Sequence, residues 1–195
     1  PASGSEVSSH PLDDFTDDNF KHAVTVLRLS VPYTGLIVTA RESPELRDAC
    51  VDLGITQMDA STRIGIGAYA AQAGQEIDEQ QFLLGDPRTL EELICALARR
   101  GIITSFCTAG YRCGRTGGCI MDSLKTGKEG TFCKINAVLT FREWLDDFAS
   151  PASVKICEPV IKAELAAIQE NYPKFYPQIL DRYNRICAGE RDLYF

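Results

Sequence analysis

Apolar positions in the first half of the chain follow two spacings in alternation. Short continuous apolar runs predict three buried strands, at residues 36–40, 55–59 and 102–106. Stripes at helical spacing precede each run, and their expected N-caps are Thr16, Ser43 and Thr89. Strands joined through helices pair in parallel by right-handed crossovers. The first half is therefore predicted to be α/β, either a piece of a larger parallel structure or a small open sheet.

The second half of the chain separates into an irregular stretch and a helical part. Residues 107–133 show no periodicity and contain six glycines and four cysteines. Beyond them, apolar stripes predict three helices, over residues 137–148, 154–168 and 179–186. The start of the chain is acidic and poor in apolar groups, which is typical of a solvated arm. The predicted segments are an acidic arm or linker (1–15), an α/β segment (16–106), and a cysteine-bearing loop with a helical domain (107–195).

The charge balance and the cysteine content narrow the functional classes. With a net charge of −7 over 195 residues, the chain is unsuited to nucleic acid or an anionic membrane surface as its main partner. Its apolar runs are too short for a transmembrane span, and no secretory leader is visible. We therefore expect a reducing compartment, in which the eight cysteines point to metal binding rather than to disulfides.

The cysteines fall into two groups. One group lies within helical apolar patterns and is predicted to belong to the core: Cys50, Cys95, Cys157 and Cys187. The other lies among glycines after the third predicted strand: Cys107, Cys113, Cys119 and Cys133. Glycines permit the turns that wrap an iron–sulfur cluster, and residues 107–134 carry five basic against two acidic side chains, which suits anionic thiolates. Zinc fits less well because no C-x₂₋₄-C pair is present, and a loop that binds nothing is the alternative.

Polar side chains also follow the first two predicted strands. Arg41 and Glu42 come after the first strand, and Ser61 and Arg63 after the second. Because the carboxyl ends of parallel strands share one edge, we expect these residues to face the same mouth as Cys107. Arginine presents a fork to carboxylates, so these residues are candidates for holding a substrate carboxylate or a cofactor's amino-acid end. The alternative is a set of surface ion pairs.

Several stretches together resemble a known family. They lie at residues 27–35, 39–45, 106–109, 111–112, 114–117, 132–133, 136–137 and 189–195. They are similar to the C-terminal part of the HydG family of radical S-adenosylmethionine tyrosine lyases, which are FeFe-hydrogenase maturases related to ThiH. The resemblance covers nearly the whole chain from about residue 19 onward.

The resemblance implies a complete β/α barrel followed by a helical C-terminal domain. In the family, a C-x₃-C-x₂-C motif in the barrel holds a 4Fe–4S cluster that cleaves S-adenosylmethionine to a radical. That radical breaks tyrosine into p-cresol and dehydroglycine. A C-x₂-C-x₂₂-C motif in the C-terminal domain holds an auxiliary 4Fe–4S cluster, where dehydroglycine yields CO and cyanide for the hydrogenase cofactor.

The chain departs from the family pattern in two places. It contains no C-x₃-C-x₂-C motif, so residues 16–106 are expected to form only the last three strand–helix units of the barrel. The radical-generating half must then come from a missing N-terminal segment or a companion subunit. In the auxiliary motif, Cys107 and Cys133 stand at the family spacing, whereas Gly110 replaces the middle cysteine. The expected third ligand is Cys113 or Cys119.

The predicted function is the auxiliary-cluster portion of a HydG-like maturase that cannot perform the radical step alone. The S-adenosylmethionine site, to which Arg41, Glu42, Ser61 and Arg63 are assigned, would form only with the missing barrel half. One alternative is a catalytically silent relative kept as a structural or interaction subunit, and another is an unrelated cysteine-rich metal-binding module. The expected compartment is the cytoplasm, or the matrix of a mitochondrion-like organelle or plastid.

Overall fold

The structure is a computed structural model that describes residues 6, 10, 12–64, 84–106, 118, 121–122, 125–126 and 129–195. The described part of the chain forms two compact units, Pro1–Leu90 and Glu91–Phe195. The regular elements are α1 (Asp17–Ser30), β1 (Ile37–Val38), α2 (Pro44–Asp52), β2 (Gln57–Met58), α3 (Leu90–Arg99), α4 (Glu129–Asp147), α5 (Pro151–Asn171) and α6 (Tyr176–Cys187). Within the described residues, no helix combines the length and the apolarity that a membrane crossing needs.

The helix ends of the first unit follow the sequence signals, as predicted. The Thr16 hydroxyl accepts a hydrogen bond from the Asn19 N–H at 3.3 Å and caps α1. Ser43 caps α2 ahead of a first-turn proline, accepting the Leu46 N–H at 3.2 Å. Gly54, with φ of +101°, follows this helix in the left-handed conformation that glycine adopts without strain. Local chemistry therefore sets where these helices start and stop.

A short parallel pairing joins the two strands of the first unit. Ile37 pairs with Gln57 and Val38 with Met58, so both predicted strands form but with fewer residues than expected. Around them lies a small core: Val24, Val38, Leu46, Cys50 and Ile55. The fold is thus a mixed α/β arrangement in which the described sheet has two strands.

The third predicted strand, residues 102–106, is irregular in the structure, and that prediction is wrong as stated. The Ile102 N–H donates to the Leu97 carbonyl in the last turn of α3. This N–H therefore takes part in ending the helix and not in a strand ladder. A β-branched run becomes a strand only where a neighbouring strand completes its ladder, and the described sheet holds only β1 and β2. Phe106 instead packs against the core of the second unit.

The second unit is built from α3 to α6, and the three predicted C-terminal helices are confirmed. The buried residues of these helices and of α3 form one core. Its fully buried members include Ile135, Val138, Phe141, Ile161, Ile168 and Ile179. The start of α4 differs from the prediction, because the helix begins at Glu129 rather than near residue 137. Cys133 therefore lies on a helix and not in a loop. The segment boundary predicted between residues 106 and 107 stays a prediction, because Cys107 is outside the described residues.

Three of the four cysteines predicted to be core are buried: Cys50, Cys95 and Cys157. Burial raises the pKa of the Cys50 thiol and raises that of Cys157 to about 12, so both stay protonated and unreactive at neutral pH. Cys187 is exposed, contrary to the prediction. It follows Ile186, the last buried residue of α6, by one position and is rotated away from the buried stripe.

Candidate functional site

The turn that carries Arg41 and Glu42 is held by the chain that leads into α3. The Ala40 carbonyl accepts hydrogen bonds from the N–H groups of Gly85 and Asp86, at 2.9 and 3.0 Å. A Cβ atom on Gly85 would lie 2.6 Å from the Arg41 carbonyl oxygen and 2.7 Å from the Glu42 carbonyl, so only glycine fits this approach. The backbone around both predicted site residues is therefore fixed, while Arg41 is exposed and Glu42 is half-buried.

Ser61 joins the end of β2 to the last residues of the first unit, Arg88 and Leu90. Its φ of +55° is unusual for a residue with a side chain. Its N–H donates to the Arg88 carbonyl at 3.1 Å, and its hydroxyl accepts the Leu90 N–H at 2.9 Å. The hydroxyl satisfies an N–H of the first turn of α3, which has no partner within the helix. Ser61 thus has a structural role here, and Arg63 lies two residues further on with an exposed side chain.

A buried arginine on α2 contacts both the residue after β2 and the chain before α3, and the sequence analysis did not predict its role. Arg47 on α2 is 1% exposed, and its guanidinium donates to the Asp86 carboxylate at 2.5 Å. The other terminal nitrogen donates to the Asp59 carbonyl at 2.5 Å and to its carboxylate at 3.2 Å. Arg47 therefore ties α2 to the residue after β2 and to the chain before α3. The available signal was its position on the buried stripe of α2, between Leu46 and Cys50.

Arg88 completes this network from the other side. It forms a two-point contact with the Asp86 carboxylate and another with Asp48, with nitrogen–oxygen distances between 2.6 and 3.2 Å. Burial alone would raise the pKa of Asp86, but hydrogen bonds from Arg88 and Arg47 outweigh it and lower that pKa. Hydrogen bonding to Asp86 in turn raises the pKa of Arg88. At neutral pH the Asp86 carboxylate is therefore an anion held between two cations.

Gly85→Ala is expected to lower the free energy of unfolding of the first unit by about 1–3 kcal/mol, because the new methyl group displaces the Arg41–Glu42 turn. Urea denaturation followed by circular dichroism measures the change. Gly35→Ala is the matched control, since its Cβ would meet Thr56 at an ordinary 3.5 Å. Equal stability of the two variants would show that the turn yields without cost.

In the second unit, Cys133 is the predicted metal ligand that the structure describes. It is half-buried on the second turn of α4. Cys107 and Cys113 lie outside the described residues, as do Cys119 and Gly110. Within the described residues, no three histidine, cysteine or acidic side chains converge on a metal-sized position. Cys133 carries a thiol of the type that iron prefers, and its role as a ligand, like those of Cys107 and Cys113, stays a prediction.

The residue before Cys107 is anchored on the helix that carries Cys133. Phe106 stacks against Phe141 and Trp144, with ring centroids 6.5 and 5.9 Å apart, and these two rings of α4 lie 6.1 Å from each other. Stacked aromatic rings add specific attraction to the area they bury. Both ends of the segment between Phe106 and Cys133 are thus attached to α4.

Comparison with known proteins places the chain in a family. The sequence profile of the Biotin and Thiamin Synthesis associated domain matches residues 2–103, about half of the chain. The chain therefore belongs to the Biotin and Thiamin Synthesis associated domain family. Cys107 and all later residues lie beyond the matched range. A search of curated protein sequences found no match.

Solved structures identify the relative more narrowly. The crystal structure of HydG, a maturase of the FeFe-hydrogenase, matches 100% of this chain with 37% identity and a TM-score of 0.87. HydG from Carboxydothermus hydrogenoformans, also an FeFe-hydrogenase maturase, matches 86% of the chain with 29% identity and a TM-score of 0.59. The resemblance to the C-terminal part of HydG is confirmed. The chain spans only 41% and 34% of the lengths of these two relatives.

Proposed function

We propose that the chain is the C-terminal portion of a HydG-like FeFe-hydrogenase maturase. The observation that carries the proposal is the match to HydG over the whole chain at 37% identity and a TM-score of 0.87. Its task is to hold an auxiliary 4Fe–4S cluster through Cys107, Cys133 and Cys113. When bound, such a cluster supplies iron at which CO and cyanide are assembled. The chain's own part is to present thiolates from a fixed helix and an adjoining segment.

The radical step on tyrosine belongs to a partner that supplies the rest of a β/α barrel. Parallel sheets are normally covered on both faces, and two short strands are rarely stable alone. In the first unit, Ile37 on β1 is 65% exposed, and Val26 and Leu29 on α1 are 47% and 77% exposed. These apolar side chains suit burial against further strand–helix units, on a missing N-terminal segment or a companion subunit. In the completed barrel, residues 102–106 would gain the neighbour that a strand requires.

In that assembly, Arg41, Glu42, Ser61 and Arg63 are the proposed contacts to S-adenosylmethionine. Arg41 and Arg63 have exposed side chains that suit a carboxylate. The hydroxyl of Ser61 already accepts the Leu90 N–H, which leaves its own O–H to donate. Arg47 holds Asp86, whose N–H bonds to the Ala40 carbonyl, and this contact supports the turn that bears Arg41 and Glu42.

Anaerobic reconstitution with iron and sulfide tests the cluster directly. The wild-type chain is expected to bind about four irons, the content of one 4Fe–4S cluster, with a matching electron paramagnetic resonance signal after reduction. Cys133→Ala is expected to lose most of this iron, because a thiolate ligand is removed. Cys187→Ala is the matched control, an exposed cysteine on α6.

Two results would count against the proposal. Wild-type chain without bound iron would favour the catalytically silent relative, an alternative supported by Gly110 at the position of the family's middle cysteine. Equal loss of iron in both variants would mean that iron binds nonspecifically to thiols. If the wild-type chain binds the cluster and Cys133→Ala loses it, replacement of Cys113 and of Cys119, one at a time, identifies the third ligand.

A further inference from the structure

The last residues of the chain return from α6 and lie along α4. Gly189 turns the backbone after α6, with φ of +99°. The Arg191 guanidinium then makes a two-point contact with Asp147, at 2.8 and 2.6 Å. The Glu143 carboxylate accepts the N–H groups of Asp192 and Leu193, at 2.8 and 3.3 Å. Residues 189–195, named the tail here, are thus bound to side chains of α4, and Glu190 also pairs with Arg185 of α6 at 2.8 and 2.5 Å.

The tail ends beside the turn of α4 that carries Cys133. The side-chain amide of Asn136 donates to the Phe195 carbonyl at 3.0 Å and accepts the Phe195 N–H at 2.7 Å. One asparagine therefore pairs with both polar groups of the Phe195 backbone, as a strand would. Asn136 lies three residues after Cys133, which is nearly one helical turn.

The ring of Phe195 makes the second attachment. It stacks on Phe132 with centroids 6.2 Å apart, meets Phe175 edge-on at 5.5 Å, and lies 5.2 Å below the Arg182 guanidinium. Phe132 directly precedes Cys133 in the sequence. The two tail contacts on α4 thus fall on residues 132 and 136, on either side of Cys133.

We propose that Asn136 and Phe195 are positioning residues that hold Cys133 in place as a cluster ligand, an inference that rests on the proposed function. The first N–H groups of a helix have no partners within it, so the first turns open easily unless tertiary contacts hold them. Cys133 lies in that region of α4. The tail contacts keep these turns closed and the thiol in one position. A metal ligand needs such support to keep its geometry.

Asn136→Ala in the full chain tests the inference without any metal. The native chain is alkylated with N-ethylmaleimide and then digested with trypsin. Cleavage after Lys128 and after Lys134 releases the peptide 129–134, whose alkylated fraction gives the rate of alkylation of Cys133. Loss of two hydrogen bonds is expected to raise that rate by about fivefold or more. Asn171→Ala is the matched control, because its amide donates within α5 to the Ala167 carbonyl at 2.7 Å. In this variant Cys133 should be alkylated at the wild-type rate.

The second readout is the spectrum of the reconstituted chain. Asn136→Ala is expected to shift or broaden the electron paramagnetic resonance signal, whereas Asn136→Gln, which keeps a donor and an acceptor, restores part of it. Phe195→Ala removes the ring contacts but keeps the backbone bonds to Asn136. It is the deciding variant if the fluorescence of Trp144 shows that Asn136→Ala has unfolded.

The outcomes separate the two proposals. Wild-type chain that binds no cluster would refute the proposed function, whereas the alkylation rates would still decide whether the tail fixes Cys133. Unchanged alkylation in Asn136→Ala and Phe195→Ala would overturn the inference even if the cluster forms. A faster alkylation rate with an unchanged spectrum would also overturn it, because the tail would then act on the helix but not on the ligand.

Discussion

Asp86→Asn is expected to lower the free energy of unfolding of the first unit by about 3–5 kcal/mol at neutral pH, the usual cost of breaking a buried ion pair. The carboxylate is fully buried and is shared by Arg47 and Arg88. Its removal leaves the guanidinium of Arg47, which is 1% exposed, with one anionic partner at 3.2 Å. A buried cation without a full set of partners is among the most costly defects in a folded protein.

The effect of Asp86→Asn should depend on pH in a defined direction. The pKa of Asp86 is lowered in the folded chain, so its stabilisation is present above the ordinary carboxyl pKa and is lost as the pH falls through the lowered value. The difference between wild type and variant should therefore shrink below about pH 4. Urea denaturation followed by circular dichroism, with hydrogen exchange of the α2 amides, measures it.

Asp13→Asn is the control for Asp86→Asn, because Asp13 is exposed. It should leave stability within about 0.5 kcal/mol of wild type at neutral pH. A difference below about 1 kcal/mol for Asp86→Asn, or one that is constant with pH, would show that the network adds little to the fold.

Phe141→Ala is expected to lower the free energy of unfolding of the second unit by about 3–5 kcal/mol. Phe141 is fully buried and contacts the rings of Phe106 and Trp144. Truncation leaves a cavity that rigid helices fill only in part, and it removes one of the two rings that anchor Phe106. The residue before Cys107 should then move more freely.

Denaturation followed by the fluorescence of Trp144, the chain's only tryptophan, measures the loss of stability, because this ring packs against Phe106 and Phe141. Phe148→Ala is the matched control, since Phe148 follows α4 and is 75% exposed. Its loss of stability should stay within about 0.5 kcal/mol. Comparable losses in both variants would contradict the view that the aromatic cluster holds this end of the chain.

Much of the fold was predictable because its signals are local. Thr16 and Ser43 cap helices through bonds to residues three positions away, so the cap and its helix appear together in the sequence. The C-terminal helices bury stripes whose spacing is visible along the chain. The resemblance to HydG was likewise carried by short motifs, and the structural match confirms it.

The remainder depends on contacts that leave no local pattern. Asp86 and Arg47 are 39 positions apart, and the sequence pattern around either residue does not predict their contact. The early start of α4 was missed because residues 129–136 lack a regular apolar stripe. Their helix is held by distant partners, among them Phe195, which lies 59 positions from Asn136. The irregular course of residues 102–106 was missed because a strand also depends on its neighbour.

The attachment of Phe106 to α4 has a consequence for the cysteines between residues 106 and 133. Under the proposed function, each thiol between these residues is tethered to Cys133 through a chain whose two ends are attached to α4. Its effective concentration at Cys133 is on the order of millimolar, independent of how dilute the protein is. The number of residues between Cys133 and the third ligand differs only modestly for Cys113 and Cys119. The free-energy cost of closing such a segment rises by about 0.6 kcal/mol for each doubling of its length, so the two choices differ by less than that. Under the proposed function, Gly110 in place of the family's middle cysteine is therefore a change that Cys113 or Cys119 would compensate at small entropic cost.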